Sequence, residues 1–257
     1  MFELHVFANP AELRWAGQLI RLRPKERLLL CRLAFAAGFS LSSRELSVEF
    51  IDRRSSGTTT TDTLRKHVSN FRSAVRQAAG AEIAQRLLST EPTGHGTVYR
   101  LNLEPGCIDA TRFSQLVDAG QRKLAEGLTS EAAADFSNAL ALWQEEPLRD
   151  AAGWPFARKA VIRLGARRRT ARIGLAEIRL AAARQREVIG DLLDLTAEFP
   201  GDSQVWELLI RCLWRDGRDG DAANACKQAI EAFHHRGLDT APVRRLQGAV
   251  LTGSLSR

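Results

Sequence analysis

Four polar side chains recur at a helical interval in this 257-residue chain: Arg65, Ser69, Arg72 and Arg76. Steps of four, three and four residues place them on one helix face. Lys66, Asn70 and Ser73 widen that face, and Thr61 and Thr63 stand just before it. Guanidinium, ammonium, amide and hydroxyl groups so arranged make and break no bonds. They grip phosphate oxygens and reach the edges of bases. One residue back, Leu64, Val68, Phe71 and Val75 keep the same interval, an apolar stripe that seats the helix on a core. Thr59 and Asp62 have capping-box spacing, which starts the helix near Thr60. A helix start carries partial positive charge, and threonine hydroxyls there reach phosphates. The same stripe is also what a solvated helix face gives, so charge alone leaves both readings open.

Composition narrows the classes. Net charge is +7, which favours a polyanionic partner. With 44% hydrophobic and 26% charged residues the chain is globular rather than disordered. No phosphate loop of the GxxxxGK[ST] type occurs, and no serine or cysteine sits in a nucleophile motif. Cys31, Cys107, Cys212 and Cys226 are far apart and form no CxxC, as reduced core thiols do. His234 and His235 with Cys212 and Cys226 fit no zinc spacing. Neither an enzyme nor a cofactor or metal is expected. No signal peptide and no apolar run of membrane-spanning length is present, so a cytoplasmic place is expected.

The elements that must position the basic stripe follow from periodicity. Phe2, Leu4 and Val6, then Leu13 and Trp15, then Ile20 and Leu22, alternate as short strands with turns at Asn9-Pro10 and Ala16-Gly17. Residues 24–38 open on proline and close on Gly38, a helix with good ends. A second helix covers 42–51, where Ser42 and Glu45 have capping-box spacing. The basic helix is third. Residues 86–103 then read as a hairpin turning at 93–96.

Strands, three helices and a hairpin, in that order, resemble the winged helix-turn-helix of the OmpR/PhoB type over residues 1–105. HVSNFRSAV (67–75) is similar to that family's recognition-helix core and GTVYRL (96–101) to its wing strand. The resemblance implies that the third helix enters the major groove and the hairpin tip touches the minor groove or backbone. Carried over, Thr61, Thr63, Arg65, Lys66, Ser69, Asn70, Arg72 and Arg76 are helix contacts. Thr93 and His95 are wing contacts. His67, beside the apolar stripe, is read as packing. The loop RRSSGTTTT departs from the family pattern in its many hydroxyls.

From Asp109 the pattern is helical throughout. AAADFSNALALW (132–143) and AANACKQAIEAF (222–233) share paired alanines at the start, alanine at the eighth place and an aromatic at the twelfth. VIGDLLDLTAEF (188–199) lies 34 residues before the last, the tetratricopeptide period. Gly127 and Gly217 stand at equal distances before two copies, as turns between paired helices. The larger offset before the middle copy predicts a long helix within 155–185. A winged helix followed by such repeats resembles the Streptomyces antibiotic regulatory proteins, whose second part is the bacterial transcriptional activation domain. Residues 141–171 are similar to its Leu-Trp, proline loop and Trp/Pro/Phe stretch.

The expected fold is therefore α+β: a winged-helix part over 1–105 and an all-α, tetratricopeptide-like part over 106–257. The resemblance implies an activator that binds promoter direct repeats as a homodimer and recruits RNA polymerase with its sigma factor, regulating antibiotic biosynthesis. No receiver domain and no phosphorylation switch are expected. The alternative is a repeat-type scaffold whose winged helix does not bind DNA. Arg158, Lys159, Arg163, Arg167, Arg168, Arg169 and Arg172 form a second basic run. They are either a solvated face or a second contact with DNA or polymerase, carried by Arg163, Arg167, Arg168, Arg169 and Arg172.

Overall fold

The computed structural model describes residues 1–36, 38–50, 60–94 and 96–255. Two compact units emerge: Met1–Leu116 with Ala141–Arg167, and Val117–Leu140 with Arg168–Arg257.

The first unit opens with an antiparallel sheet of β1 (Phe2–His5), β2 (Glu12–Trp15) and β3 (Gln18–Ile20), in that order. Leu4, Leu13 and Ile20 are buried, which fixes the register Leu4 to Leu13 to Ile20. The Asp109 carboxylate accepts the backbone N–H groups of Val6 at 2.8 Å and Phe7 at 3.0 Å. Phe7, Phe113 and Trp143 close the aromatic core beneath, with centroids 4.8–5.5 Å apart.

Helix α1 (Pro24–Ala34) follows, then strand β4 (Leu41–Ser42) and α2 (Ser43–Phe50). α1 ends earlier than expected; Gly38 sits beyond it with φ +82°, in the turn rather than at the helix cap. The predicted capping box at Ser42 and Glu45 forms reciprocally: Ser42 N–H donates to Glu45 at 2.8 Å, and Glu45 N–H donates to Ser42 Oγ at 3.2 Å. Helix α3 (Thr60–Ala79) carries the basic stripe. Its start agrees with the expected one near Thr60, while Thr59 and most of the hydroxyl-rich loop lie outside the described residues.

Two elements depart from the periodicity. A short α4 (Ala81–Leu87) intervenes before the hairpin of β5 (Leu88–Thr93) and β6 (Gly96–Leu101). Gly80, with φ +95°, turns the chain between α3 and α4 where only a residue without Cβ enters easily. The two residues of β4 also pair with β6, giving the sheet order β4-β6-β5. A strand of two residues has no alternation to read.

The remaining elements are α5 (Asp109–Ala125), α6 (Thr129–Leu142), α7 (Pro155–Ala181), α8 (Ile189–Glu198), α9 (Ser203–Arg215), α10 (Asp219–His234) and α11 (Ala241–Leu251). The 27 residues of α7 are the predicted long helix. The repeat logic holds in detail. Ala132 and Ala139, and Ala222 and Ala229, are all fully buried, as are Phe136, Leu192 and Cys226. Gly127 (φ +79°) and Gly217 (φ +75°) end α5 and α9 with the same pair of backbone bonds.

Within the second unit Phe136 lies between two glycines. A Cβ on Gly120 would stand 2.7 Å from its ring, and one on Gly174 2.6 Å. Helix approach there is set by the absence of a methyl group. A separate core joins α8 to α11 through Leu195, Leu209, Leu213 and Phe233, with Trp214 donating its indole N–H to the Leu255 carbonyl at 2.8 Å.

Candidate nucleic-acid interface

Helix α3 is held from one side. Leu64, Val68, Phe71 and Val75 are buried at 4% exposure or less, so the apolar stripe is the seat that the sequence predicted. α1, α2 and α4 all pack on this helix. At 20 residues it is about 30 Å long, enough to lie along a major groove.

The opposite face is open and cationic. Arg65, Lys66, Ser69 and Arg76 are exposed, and Thr63 is half-buried. Arg65 meets Asp62 at 3.2 Å in an ion pair exposed on both sides, which water and salt weaken. Thr61 lies in the first turn of α3; its side chain is outside the described residues.

Two residues of the predicted face also bond inward. Arg72 is half-buried, and its guanidinium donates to the Leu88 carbonyl at 2.7 and 3.3 Å and to Thr90 Oγ1 at 3.1 Å. It ties the helix to the first wing strand. Burial lowers its pKa from the usual arginine value. Asn70 donates to Glu26 Oε1 of α1 at 3.0 Å, the atom that His67 Nδ1 also meets at 3.0 Å. Glu26 is 2% exposed. Burial raises its pKa, but the bonds from His67 and Asn70 outweigh that and leave it below the ordinary carboxylate value. Asn70 and Arg72 thus brace the helix against α1 and the hairpin, while Arg72 still lines the groove beside the wing. Helical spacing counted them as outward because it does not show where α1 and the hairpin lie.

Between α3, α4 and the hairpin runs a groove of about 390 Å³, lined by Arg65, Ser69, Arg72 and Arg76 with Gln85, Thr90 and Thr97. Helical spacing does not point to the last three. Thr90 pairs with Tyr99 and Thr97 with Pro92, so both threonines share a hairpin face with buried Tyr99. That face is readable once the pairing of Thr93 with Gly96 sets the register. Thr93 is exposed at the tip, its hydroxyl donating to the Gly96 carbonyl at 2.8 Å. His95 lies outside the described residues.

The second basic run does not form one surface. Arg172 is 5% exposed; it donates to the Asp191 carboxylate at 2.9 Å and to Glu198 at 3.2 Å. Arg169 pairs with Asp202, which also caps α9. Arg167 is half-buried and donates to the Ser114 carbonyl at 3.3 Å; Arg168 is half-buried too. Arg172 and Arg169 are corrected to structural residues, because a count of adjacent charges ignores the acids that α8 and α9 bring to that face. Arg158, Lys159 and Arg163 stay exposed.

Among the described residues no group of three or more His, Cys, Asp or Glu side chains could hold a metal, and no helix is long and apolar enough to cross a membrane. Burial pushes the Cys31 thiol up to about 12, away from nucleophilic chemistry at neutral pH.

Residues 108–251 match the bacterial transcriptional activator domain family. The transcriptional regulator RedD of Streptomyces coelicolor is 30% identical over 209 residues, covering 80% of this chain and 57% of its own length. The regulatory protein DnrI of Streptomyces peucetius is 29% identical over 178 residues, covering 66% of this chain and 60% of DnrI. This chain therefore spans little more than half the length of these two relatives. A solved structure of Mycobacterium tuberculosis EmbR in complex with a low affinity phosphopeptide shares the fold: TM-score 0.86 over 100% of this chain and 66% of that one, at 23% identity.

Proposed function

Because the chain belongs to the bacterial transcriptional activator domain family, with the layout of the Streptomyces antibiotic regulatory proteins, we propose that it is a sequence-specific, DNA-binding transcriptional activator. Residues 1–105 serve as the DNA-binding part and 106–257 as the activating part. The observation that carries this reading is the open face of α3. Arg65, Lys66, Ser69 and Arg76 stand exposed beside a groove walled by the wing, while the opposite stripe is wholly buried. A helix so seated presents cations and hydroxyls to phosphates and base edges together.

In this reading Arg65, Ser69 and Arg76 enter the major groove, and Lys66 with Thr61 and Thr63 fixes phosphates at the start of the helix. Thr93 and His95 at the wing tip touch the neighbouring backbone. Arg72 and Asn70 hold the helix at the correct distance from wing and body. Two copies on a direct repeat then recruit RNA polymerase and its sigma factor, within the cytoplasmic nucleoid. RedD and DnrI, as named regulators, support a role in transcriptional regulation, and the likeness to the Streptomyces antibiotic regulatory proteins points to antibiotic biosynthesis. No enzymatic step belongs to it.

Genomic footprinting of the tagged full chain tests this. The expected result is a shared motif in two direct copies upstream of a small gene set. Footprints with no common motif, or none above background, would refute it. The scaffold alternative predicts no duplex binding even at low salt, where a phosphate-gripping protein binds most strongly.

A further inference from the structure

We propose that the first compact unit holds a second binding site: the cleft between the end of α1, the start of α5 and the first half of α7 takes a small ligand with an apolar body and one carboxylate. The cleft measures about 220 Å³. Its floor is apolar, built from Ala34 and Phe35, Ile108, Ala160 and Leu164. Small residues on two of the three elements, Ala34 and Ala160, keep it open.

A second cleft of about 370 Å³ shares Ala34, Ile108 and Thr111 with the first and continues along Leu33, Leu101 and Leu103. The pair reaches the range of roughly 300–1,000 Å³ typical of small-molecule sites. Such sites are mostly apolar with a few placed polar groups.

The polar groups here select the ligand class. Arg163 is exposed at the mouth of the smaller cleft and has no ion-pair partner among the described residues. No aspartate or glutamate lines that cleft. The other arginine there, Arg167, already donates to the Ser114 carbonyl. Thr111 stands where the two clefts meet, and its hydroxyl has no hydrogen-bond partner among the described residues. The larger cleft carries Arg100 and Glu104 together, whereas the smaller carries arginines and no acid, so the anionic end of a ligand belongs at the Arg163 side. A guanidinium fork matches a carboxylate with two parallel hydrogen bonds, and the Thr111 hydroxyl supplies a third donor. A ligand cation would face Arg163 with like charge. α1 ends at this cleft and packs on α3.

This inference does not rest on the DNA reading, and its test uses no DNA. Octanoate, octanol and octylamine, equal in chain length, are titrated into the full chain by calorimetry. Octanoate is expected to bind at one site, octanol at least tenfold more weakly, and octylamine not at all. Arg163→Ala should weaken octanoate at least tenfold, Arg163→Lys should restore part of it, and Thr111→Val should weaken it less. Arg158→Ala, five residues earlier on α7 and exposed, should change nothing. Ala160→Leu should block the cleft; if that variant fails to fold by circular dichroism, the Arg163 series still decides. Absent octanoate binding, equal binding of octylamine, or an unaltered Arg163→Ala variant would overturn the proposal.

Discussion

Arg72 offers the sharpest separation of two roles that its position in the basic stripe confuses. Its guanidinium donates three hydrogen bonds, two to the Leu88 carbonyl and one to Thr90 Oγ1. A hydrogen bond from a charged donor contributes about 1.5–3 kcal/mol to stability. The pair with Leu88 shares one acceptor, so the three are worth about that much together rather than three times it. Arg72→Ala should therefore loosen the attachment of the hairpin to α3 by about 1.5–3 kcal/mol, roughly a 10- to 150-fold effect on local opening. Hydrogen exchange with mass spectrometry reads this directly: amides of 88–101 should exchange faster by that factor, while those of α8 to α11 stay unchanged. Arg72→Lys keeps the charge but loses the fork, and should fall between. Arg76→Ala, an exposed neighbour one turn on, should leave hairpin exchange unaltered. If Arg72→Ala leaves the hairpin as protected as in the wild type, the bracing role is wrong.

Other outcomes follow from the same packing. Gly174→Ala places a methyl group 2.6 Å from the Phe136 ring. Overpacking costs about 1–3 kcal/mol, and the helix gain of alanine over glycine returns about 1. The melting temperature should fall, and Phe136→Leu in the same chain should restore part of it. Glu26 has a pKa below its ordinary value in the folded protein, so its contribution is present above about pH 4.3 and is lost as pH falls through the depressed value. Glu26→Gln should lower stability at pH 7 and flatten the acid limb of a urea-midpoint series. Arg172→Ala should destabilise the second unit by about 1–3 kcal/mol, less than a fully buried pair because its acids are half-exposed. Its affinity for duplex should not change, as measured by anisotropy.

Much of the fold is legible because its signals are periodic. The stripe Leu64, Val68, Phe71 and Val75 names the buried face of α3, and Ser42 with Glu45 names the start of α2 through a bond that the structure contains. The alanines at 132, 139, 222 and 229 announce close helix pairs. What escapes is whatever depends on a distant neighbour. β4 is too short to alternate, and α4 hides between a helix and a hairpin. Arg72, Asn70 and Arg172 look alike on a wheel with Arg65 and Arg163. They differ only because Leu88, Glu26 and Asp191 arrive from elsewhere in the chain. Thr90 and Thr97 escape for the reverse reason: nothing marks a strand threonine as facing a groove until the hairpin register is known.

The central claim, that the exposed face of α3 lies along a DNA duplex, is tested most directly by salt. Fluorescence anisotropy on a labelled duplex, from low to moderate salt, gives the slope of log affinity against log salt. The wild type should bind at low salt and weaken steeply. Arg65→Ala with Arg76→Ala should reduce the slope by about two units, roughly one for each phosphate left without its arginine. A wild-type slope that the double variant shares, or no binding at low salt, would contradict it.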